Sequence, residues 1–376
     1  MHFRVSHIKL LHLLPAAAAA ALIMIQPAPV AAQGSGNVYV MTNQATGNSI
    51  MVFQRDSSGA LTYLATYASG GNGAGTGGDP LGSQNSLVLA PDQQLLLAVN
   101  AGSNSVSVFA VFGHQLKLLD TASSGGVMPV SVAVRRQFVY VVNAGGTPNI
   151  AGFEVNANSG HLTPIPGSTQ NLPGGAASSP AQISFRPDGG SLFVTEKGDN
   201  LVDVFPLVQG VAQAGTAFAS SGTGPFGFAF GRNDIAVVSN SAGGADGAAS
   251  AASYAIGPGG MLRRISPAIG DTQTAACWLV VTGNGQYAYT TNTASGTISS
   301  YTVAPNGDLA LLNSVAATPG DVTPIDMALS SDSRYLYVRD AGNGAISAYS
   351  IGSDGSLTSI TGAWGIPDTA QGIAAQ

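Results

Sequence analysis

Two pairs of neighbouring charged residues are the best candidates for chemistry in this sequence. Glu196 and Lys197 stand side by side, and Glu196 is one of only two glutamates in the chain. Arg339 and Asp340 form the second pair. A carboxylate whose pKa is perturbed beside a cation is the group that general-base catalysis requires. The alternative interpretation is that each pair belongs to a turn and is solvated.

Histidine and cysteine chemistry is not expected. Three of the five histidines lie within the first twelve residues, and the other two, His114 and His161, precede predicted outer strands, where exposed turn residues are typical. A Ser-His-Asp triad, a Cys-His pair or a multi-histidine metal site therefore lacks its histidines. Cys277 is the only cysteine, so no intramolecular disulfide can form, and we expect a buried thiol.

Both charged pairs fall at one position of a repeat. Seven runs of β-forming residues each close on a small or polar residue, and these closing residues are 43 to 57 positions apart. A repeat of about 50 residues built from four short strands predicts a β-propeller. Asparagine at a strand end mostly bonds to the following turn, which favours a structural role for the five asparagines. The closing residues are Asn43, Asn100, Asn143, Glu196, Asn240, Asn292 and Asp340.

The strand pattern predicts seven four-stranded blades. The third repeat shows it best, with strands predicted at 130–134, 138–143, 150–155 and 162–165. The chain begins on a second-strand pattern at Val38, and residues 371–375 match a first strand. Joining the two would complete a blade and close the ring, which removes exposed sheet edges. We therefore predict an all-β, seven-bladed propeller over residues 33–376, closed by N- and C-terminal strands in one blade.

The predicted ring places several polar and aromatic residues on one face of a central channel. Antiparallel pairing sets the start of each first strand beside the end of its second strand. Trp278, at one such start, either stacks on a ligand or plugs the channel. The start residues are Ser86, Ser131, Gln182, Gly227, Trp278, Asp326 and Gly372. We expect the ligand-binding residues to be Gln182, Trp278, Asp326, Asp340, Asn240 and Phe226, a lining suited to a small polar or sugar-like molecule.

Residues 1–32 form a predicted signal peptide. Arg4 and Lys9 precede an apolar run over 10–25, and Ala32 ends a small-residue cleavage site before Gln33. Removing it leaves 11 Lys and Arg against 19 Asp and Glu, a net charge of about −8. That charge disfavours nucleic acid and anionic membranes as partners. We expect an exported monomer, periplasmic or extracellular, without a membrane span.

Two glycine-rich insertions interrupt the repeat, at 70–78 and 242–253. They are either surface loops or a pair of lids over one face. The first lacks the Lys and Ser/Thr of a phosphate-binding loop, and the acidic loop residues show no chelating spacing. We therefore expect no cofactor and no metal.

The Tyr-Val-Xaa-Asn strand ends and Ser-Pro-Asp-Gly-like turns resemble the lactonase family of seven-bladed propellers, which includes 6-phosphogluconolactonase and carboxy-cis,cis-muconate cyclase. The resemblance covers 38–376 and implies a Pro-Arg-His on one first strand followed by Asn-Glu on the next strand. The matching residues here are Pro180-Ala181-Gln182 and Thr195-Glu196, so only the glutamate is kept. A further Pro-His-Ser of the family matches Pro129-Val130-Ser131, which lacks the histidine.

Two functions remain open. The favoured one is an exported propeller that binds a small polar or carbohydrate-like ligand, or a cell-envelope protein, on its channel face without the family's usual catalysis. The alternative is a lactone hydrolase or cycloisomerase that uses Glu196 as general base. In that alternative Lys197, Arg339 or Gln182 would hold the carboxylate and the ring oxygen of the substrate.

Overall fold

Alternating apolar and small residues build seven antiparallel sheets around a central channel. The computed structural model describes residues 1–2, 34–320 and 323–376, so the predicted signal peptide lies almost wholly outside the described residues. Residues 34–376 form one compact unit. No helix in the described parts of the chain is long and apolar enough to cross a membrane. The predicted all-β, seven-bladed architecture is confirmed.

The blades are numbered along the chain, and each is a meander from the channel outwards. Blade 1 holds β1 (Gly36–Met41), β2 (Ser49–Arg55), β3 (Leu61–Ala68) and, innermost, β31 (Ile373–Ala375). Blade 2 holds β4 (Leu87–Leu89), β5 (Leu95–Asn100), β6 (Ser105–Phe112) and β7 (Gln115–Ser123). Blade 3 holds β8 (Val127–Arg135), β9 (Phe138–Gly145), β10 (Asn149–Val155), β11 (Leu162–Pro164) and β12 (Gln170–Asn171).

The remaining blades follow the same plan. Blade 4 holds β13 (Pro180–Phe185), β14 (Ser191–Glu196), β15 (Leu201–Val208), β16 (Val211–Ala212) and β17 (Thr216–Ala219). Blade 5 holds β18 (Pro225–Phe230), β19 (Ile235–Asn240), β20 (Ser250–Ile256), β21 (Leu262–Arg264) and β22 (Ile269–Gly270). Blade 6 holds β23 (Ala276–Val281), β24 (Tyr287–Asn292), β25 (Thr297–Val303) and β26 (Leu309–Ala317). Blade 7 holds β27 (Pro324–Leu329), β28 (Tyr335–Asp340), β29 (Ala345–Ile351) and β30 (Leu357–Trp364).

The ring closes as the sequence predicts. β31 pairs antiparallel with β1, with Val40 opposite Ile373 and Val38 opposite Ala375. β2 pairs with the other side of β1, so both chain ends contribute to blade 1. One expectation is corrected: residues 250–253 of the second glycine-rich insertion belong to β20. Their side chains, Ser-Ala-Ala-Ser, are small, and all four residues are buried.

Adjacent blades are joined by apolar packing and by a recurring tyrosine bond. Tyr140 of blade 3 donates its hydroxyl to a turn carbonyl of blade 4, Gly210 O, at 2.6 Å. Tyr289 of blade 6 and Tyr337 of blade 7 make the same contact to the next blade at 2.9 Å. A buried tyrosine needs such a partner for its hydroxyl. These bonds fix each blade against the next and hold the strand ends that form the candidate site.

The start of the first strand has a distinctive backbone in five blades. A residue at this start has a left-handed φ, from +43° to +84°, and the strand then contains a bulge. A bulge adds a residue to one strand and re-aims the side chains around it. It is this irregularity that brings the start residues to the channel. These residues are Met128, which is the second residue of β8, and Ser179, Gly224, Ala275 and Thr323, which directly precede their strands.

Candidate functional site

The segment 81–85, which we call the plug, closes one end of the central channel. It precedes β4 in blade 2, and its hydrogen bonds reach the inner strands of blades 1, 3, 4 and 6. Ser83 and Gln84 are buried. The bonds run from Leu81 N to Gln371 Oε1 (2.8 Å), Ser83 Oγ to Val130 O (2.7 Å), Gln84 N to Ala181 O (2.9 Å) and Gln84 Nε2 to Leu279 O (2.8 Å), with Leu279 N donating back to Gln84 Oε1 (3.0 Å).

Trp278 of β23 bonds to this plug. It is fully buried, and its indole N–H donates to Ser83 O at 2.8 Å. Its ring lies 4.9 Å from that of Phe226, which is also buried. Of the two roles considered for Trp278, the geometry matches plugging the channel. Trp278 could stack on a ligand only if the segment 81–85 moved away from it.

Gln182 and Asp326 lie in the channel, but their side chains bond to backbone groups around them. The Gln182 amide exchanges two hydrogen bonds with the backbone of Phe228, at 2.9 and 2.7 Å, and so joins blades 4 and 5. Asp326 has φ +52° and accepts from Met327 N at 2.9 Å, and the backbone of Gly372 also bonds to it. Burial raises the pKa of Asp326 to about 8, against the opposing effect of these bonds. Beyond the plug the channel holds a cavity of about 430 Å³ lined mainly by first strands.

Lys197 lies at the rim of the plugged end. Its Nζ donates to Gly82 O at 2.8 Å and lies 5.3 Å from the centre of the Phe226 ring. Asp79 is exposed and accepts from Gly82 N at 2.9 Å. Gly82 lies between the two charged groups. A Cβ added to Gly82 would be 3.3 Å from Lys197 Nζ and 3.9 Å from Asp79 Oδ2. Burial lowers the pKa of Lys197, and Asp79 opposes that shift. We call this feature the Lys197–Asp79 recess.

Glu196 does not face the recess, although it precedes Lys197. Its carboxyl is fully buried between blades 3 and 4, where it accepts from Gly174 N at 3.1 Å. Asp203, also fully buried, and Asp199 are its other hydrogen-bonding neighbours. Burial, followed by the contacts with Asp203 and Asp199, raises the pKa of Glu196 well above its ordinary value. The Glu196 carboxyl therefore holds its proton more tightly than an exposed glutamate does, and it can donate that proton to one of the two aspartates.

The Glu196–Asp203 pair replaces a neutral pair found in other blades. In blade 6, Asn292 Nδ2 donates to Ser299 Oγ at 2.7 Å, seven positions along the chain. In blade 2, Asn100 makes the same bond to Ser107 at 2.8 Å. Glu196 and Asp203 occupy the corresponding two positions of blade 4. Blade 4 thus has two neighbouring carboxyl groups where blades 2 and 6 have an amide bonded to a hydroxyl.

Arg339 and Asp340 lie elsewhere. Arg339 is fully buried and donates to the carbonyls of Asp340 and, at 2.8 Å, Pro367 between blades 7 and 1. Burial lowers its pKa to about 10. Asp340 is buried too and accepts from Gly342 N at 3.2 Å. The guanidinium of Arg339 bonds to the backbone of its own corner of the ring.

The predicted site residues thus divide into two sets. Phe226, Trp278 and Lys197 meet at the plug, and Asp326 lies in the same channel. Asn240 is buried within blade 5, where it accepts from Ser220 Oγ at 3.2 Å and donates to Ser250 Oγ at 3.3 Å. Glu196, Arg339, Asp340 and Asn240 lie between or within blades and not at the recess.

Four important residues were missed by the sequence analysis: Asp79, Asp203, Gln84 and Gln371. Asp203 could have been found by aligning third strands, because it stands seven positions after Glu196 as Ser299 does after Asn292. Gln84 and Gln371 carry no pattern that distinguishes them from other glutamines. Their roles depend on bonds across the channel.

The described residues bear on the two expectations about cysteine and metal ions. Cys277 is a buried free thiol, and burial raises its pKa to about 12. Among residues 1–2, 34–320 and 323–376, no group of three or more His, Cys, Asp or Glu side chains is arranged to hold a metal ion.

Comparison with known proteins identifies the family. No curated protein matched the sequence. Solved structures share the fold: a Bacteroides uniformis protein assigned as a 6-phosphogluconolactonase (20% identity, TM-score 0.68, covering 89% of this chain and 99% of that one) and a periplasmic gluconolactonase of Pseudomonas aeruginosa (16%, 0.69, 90% and 98%). The family model described as "Lactonase, 7-bladed beta-propeller" matches residues 37–175 and 259–365. The chain therefore belongs to the lactonase family of seven-bladed β-propellers.

Proposed function

We propose that this protein is an exported propeller that binds a small sugar acid or sugar lactone at the Lys197–Asp79 recess, without hydrolysing it. The observation that carries the proposal is the separation of Lys197 from Glu196. Lys197 reaches the open rim of the channel face, whereas the Glu196 carboxyl is buried between two blades with a raised pKa.

The recess supplies complementary groups for such a ligand. An ammonium donates to a carboxylate or lactone carbonyl, and the Asp79 carboxylate accepts from sugar hydroxyls. Both groups are anchored through Gly82, so the recess is ordered before a ligand arrives. Preorganised groups lose less entropy on binding. The similar periplasmic protein is named a gluconolactonase, and gluconate and glucono-lactone are therefore the first ligands to test.

Binding is tested by melting temperature with gluconate, glucono-lactone and glucose. At a ligand concentration of 100 times Kd the folded state gains about 2.7 kcal/mol, enough to raise the melting temperature by several degrees. We expect the rise with wild-type protein, its loss in Lys197→Ala, and its retention in Lys117→Ala. Lys117 is exposed on β7 and provides a matched control. A rise that survives Lys197→Ala would contradict the proposed recess.

The hydrolase alternative rests on the family and on the kept Glu196. Opening of glucono-lactone releases a proton, so measuring proton release distinguishes hydrolysis from binding without hydrolysis. We expect the rate to equal the spontaneous one. Accelerated opening that is lost in Glu196→Gln, with unchanged melting temperature, would establish the hydrolase and refute the non-catalytic proposal. Export is tested by sequencing the N-terminus of protein recovered outside the cytoplasm, which we expect to begin at Gln33.

A further inference from the structure

A crevice lined by the third and outer strands of blade 7, and by residues 318 and 320 that follow β26, carries an exposed tryptophan. The side chain of Trp364, at the end of β30, is 69% exposed, more than any other large apolar side chain among residues 34–320 and 323–376. The crevice has a volume of about 280 Å³. We call it the Trp364 crevice. Its polar and aromatic lining is Thr318, Asn343, Ser347, Tyr349, Ser359 and Trp364.

Comparison of the blades shows that the fold does not require this tryptophan. Trp364 pairs with Ala345, the first residue of the third strand. Outer-strand residues in the corresponding place in the other blades are small or polar, and none is aromatic. They are Ala68, Ser123, Asn171, Ala219 and Gly270, with Ala317 opposite the second residue of its third strand. Leaving an indole in water forgoes the free energy that its burial would provide.

The lining points to a neutral polyhydroxylated ligand. Hydroxyl and amide groups both donate and accept hydrogen bonds, as sugar hydroxyls require. The described lining residues include no charged side chain. Gly320 allows the Asn343 amide to lie at the edge, since a Cβ there would be 3.3 Å from Asn343 Nδ2. A volume at the lower end of ligand pockets, about 300 Å³, suits one ring and not a whole chain.

We propose that the Trp364 crevice binds one sugar ring of a neutral glycan, with the indole stacked against the C–H face of the ring. This site is separate from the Lys197–Asp79 recess and does not depend on it. The hydroxyl and amide groups of Ser347, Ser359 and Asn343 bond to the ring hydroxyls. The rest of the glycan continues over the outer surface of the propeller.

Tryptophan fluorescence tests the proposal directly. The chain has two tryptophans, and Trp278 is fully buried, so quenching by acrylamide reports chiefly on Trp364. The probes are maltohexaose, cellohexaose, laminarihexaose and chitohexaose at about 10 mM, ten times a millimolar Kd. We expect at least one to reduce the quenching constant twofold or more. Trp364→Ala should abolish binding measured by calorimetry, while Lys197→Ala and Phe112→Ala retain it; Phe112 is a control that is 62% exposed.

Two results would overturn the proposal. One is protection by none of the four hexasaccharides. The other is a dimer in sedimentation that Trp364→Ala dissociates, because the exposed indole would then be a contact between copies. Since Trp364 makes its contacts at the surface, its replacement should leave the melting temperature within about 1 °C, and a folded variant is available for both measurements.

Discussion

Blades 4 and 6 place different chemistry at the same point of the same fold. Blade 6 closes its second strand with Asn292, which donates to Ser299 and Thr297 at 2.7 and 3.1 Å. Blade 4 has Glu196 and Asp203 at the matching positions, with Gly174 N as a backbone donor. Both pairs are fully buried. The difference shows that blades 2 and 6 place a hydrogen-bonded amide and hydroxyl at this point, whereas blade 4 places two carboxyl groups there.

Blade 4 tolerates the carboxyl pair because of its surroundings. A proton on Glu196 removes one negative charge, and the loop before β13 brings Gly174 against the pair. A Cβ on Gly174 would lie 2.1 Å from Glu196 Oε2 and 1.6 Å from Asp199 Oδ2, so only glycine fits. Burying one carboxylate beside a neutral acid costs less than burying two charges. Blade 6 offers Gln273 and Ser314 near the corresponding site, without this glycine contact.

The largest expected effect is that of transferring the blade 4 pair into blade 6. Asn292→Glu with Ser299→Asp should lower the free energy of unfolding at pH 8 by about 3 to 5 kcal/mol, the usual cost of uncompensated buried charge. Guanidinium unfolding measures it. Asn292→Asp alone is the milder variant if the double variant is not recovered. A loss below about 1 kcal/mol would show that the two sites are equivalent.

The reverse exchange should stabilise the protein. Glu196→Asn with Asp203→Ser should raise the free energy of unfolding at pH 8 by about 1 to 4 kcal/mol. The folded pKa values of Glu196 and Asp203 both lie above the ordinary values of 4.5 and 3.8, chiefly because of burial. The protonated pair therefore contributes its full stability below about pH 4, and this is lost as the pH rises through the raised folded pKa values. The double variant should lose less stability than wild type between pH 5 and 9; parallel profiles would refute the raised pKa values.

The smallest effect is expected for Glu196→Gln at pH 5. Glutamine can donate one hydrogen bond as the protonated acid does, so the free energy of unfolding should change by less than about 1 kcal/mol. Chemical denaturation at pH 5 and pH 9 measures the change. At pH 9 the variant should be the more stable protein. A large loss at pH 5 would mean that Glu196 is ionised there.

The fold was largely predictable because its information is local. Each blade repeats its own strands and turns, and the closing residues from Asn43 to Asp340 mark the register. The ring closure followed from an unpaired second strand at Val38 and an unpaired first strand at the other end. The end of the second insertion was misplaced because the Ser-Ala-Ala-Ser run of 250–253 has a loop-like composition, although it forms the buried start of β20.

The site was less predictable because it depends on contacts between distant residues. Adjacency of Glu196 and Lys197 suggested joint action, yet alternate residues of a strand face opposite sides, and Lys197 has already left β14. The plug lies in a long connection with no repeat pattern, and Gln84 meets Leu279 only across the channel. A single sequence contains no local signal for such a contact.

The pairing of β31 with β1 also affects the order in which the protein folds. Asn37 bonds to Gln376, which is 339 positions away, at 2.7 Å. Blades 2 to 7 can each form from neighbouring segments while the chain is still being made, but blade 1 must wait for β31. Contacts between such distant segments form slowly. Synthesis therefore leaves an open arc in which the inner edge of β1 is unpaired, and the ring becomes a closed unit only after β31 emerges.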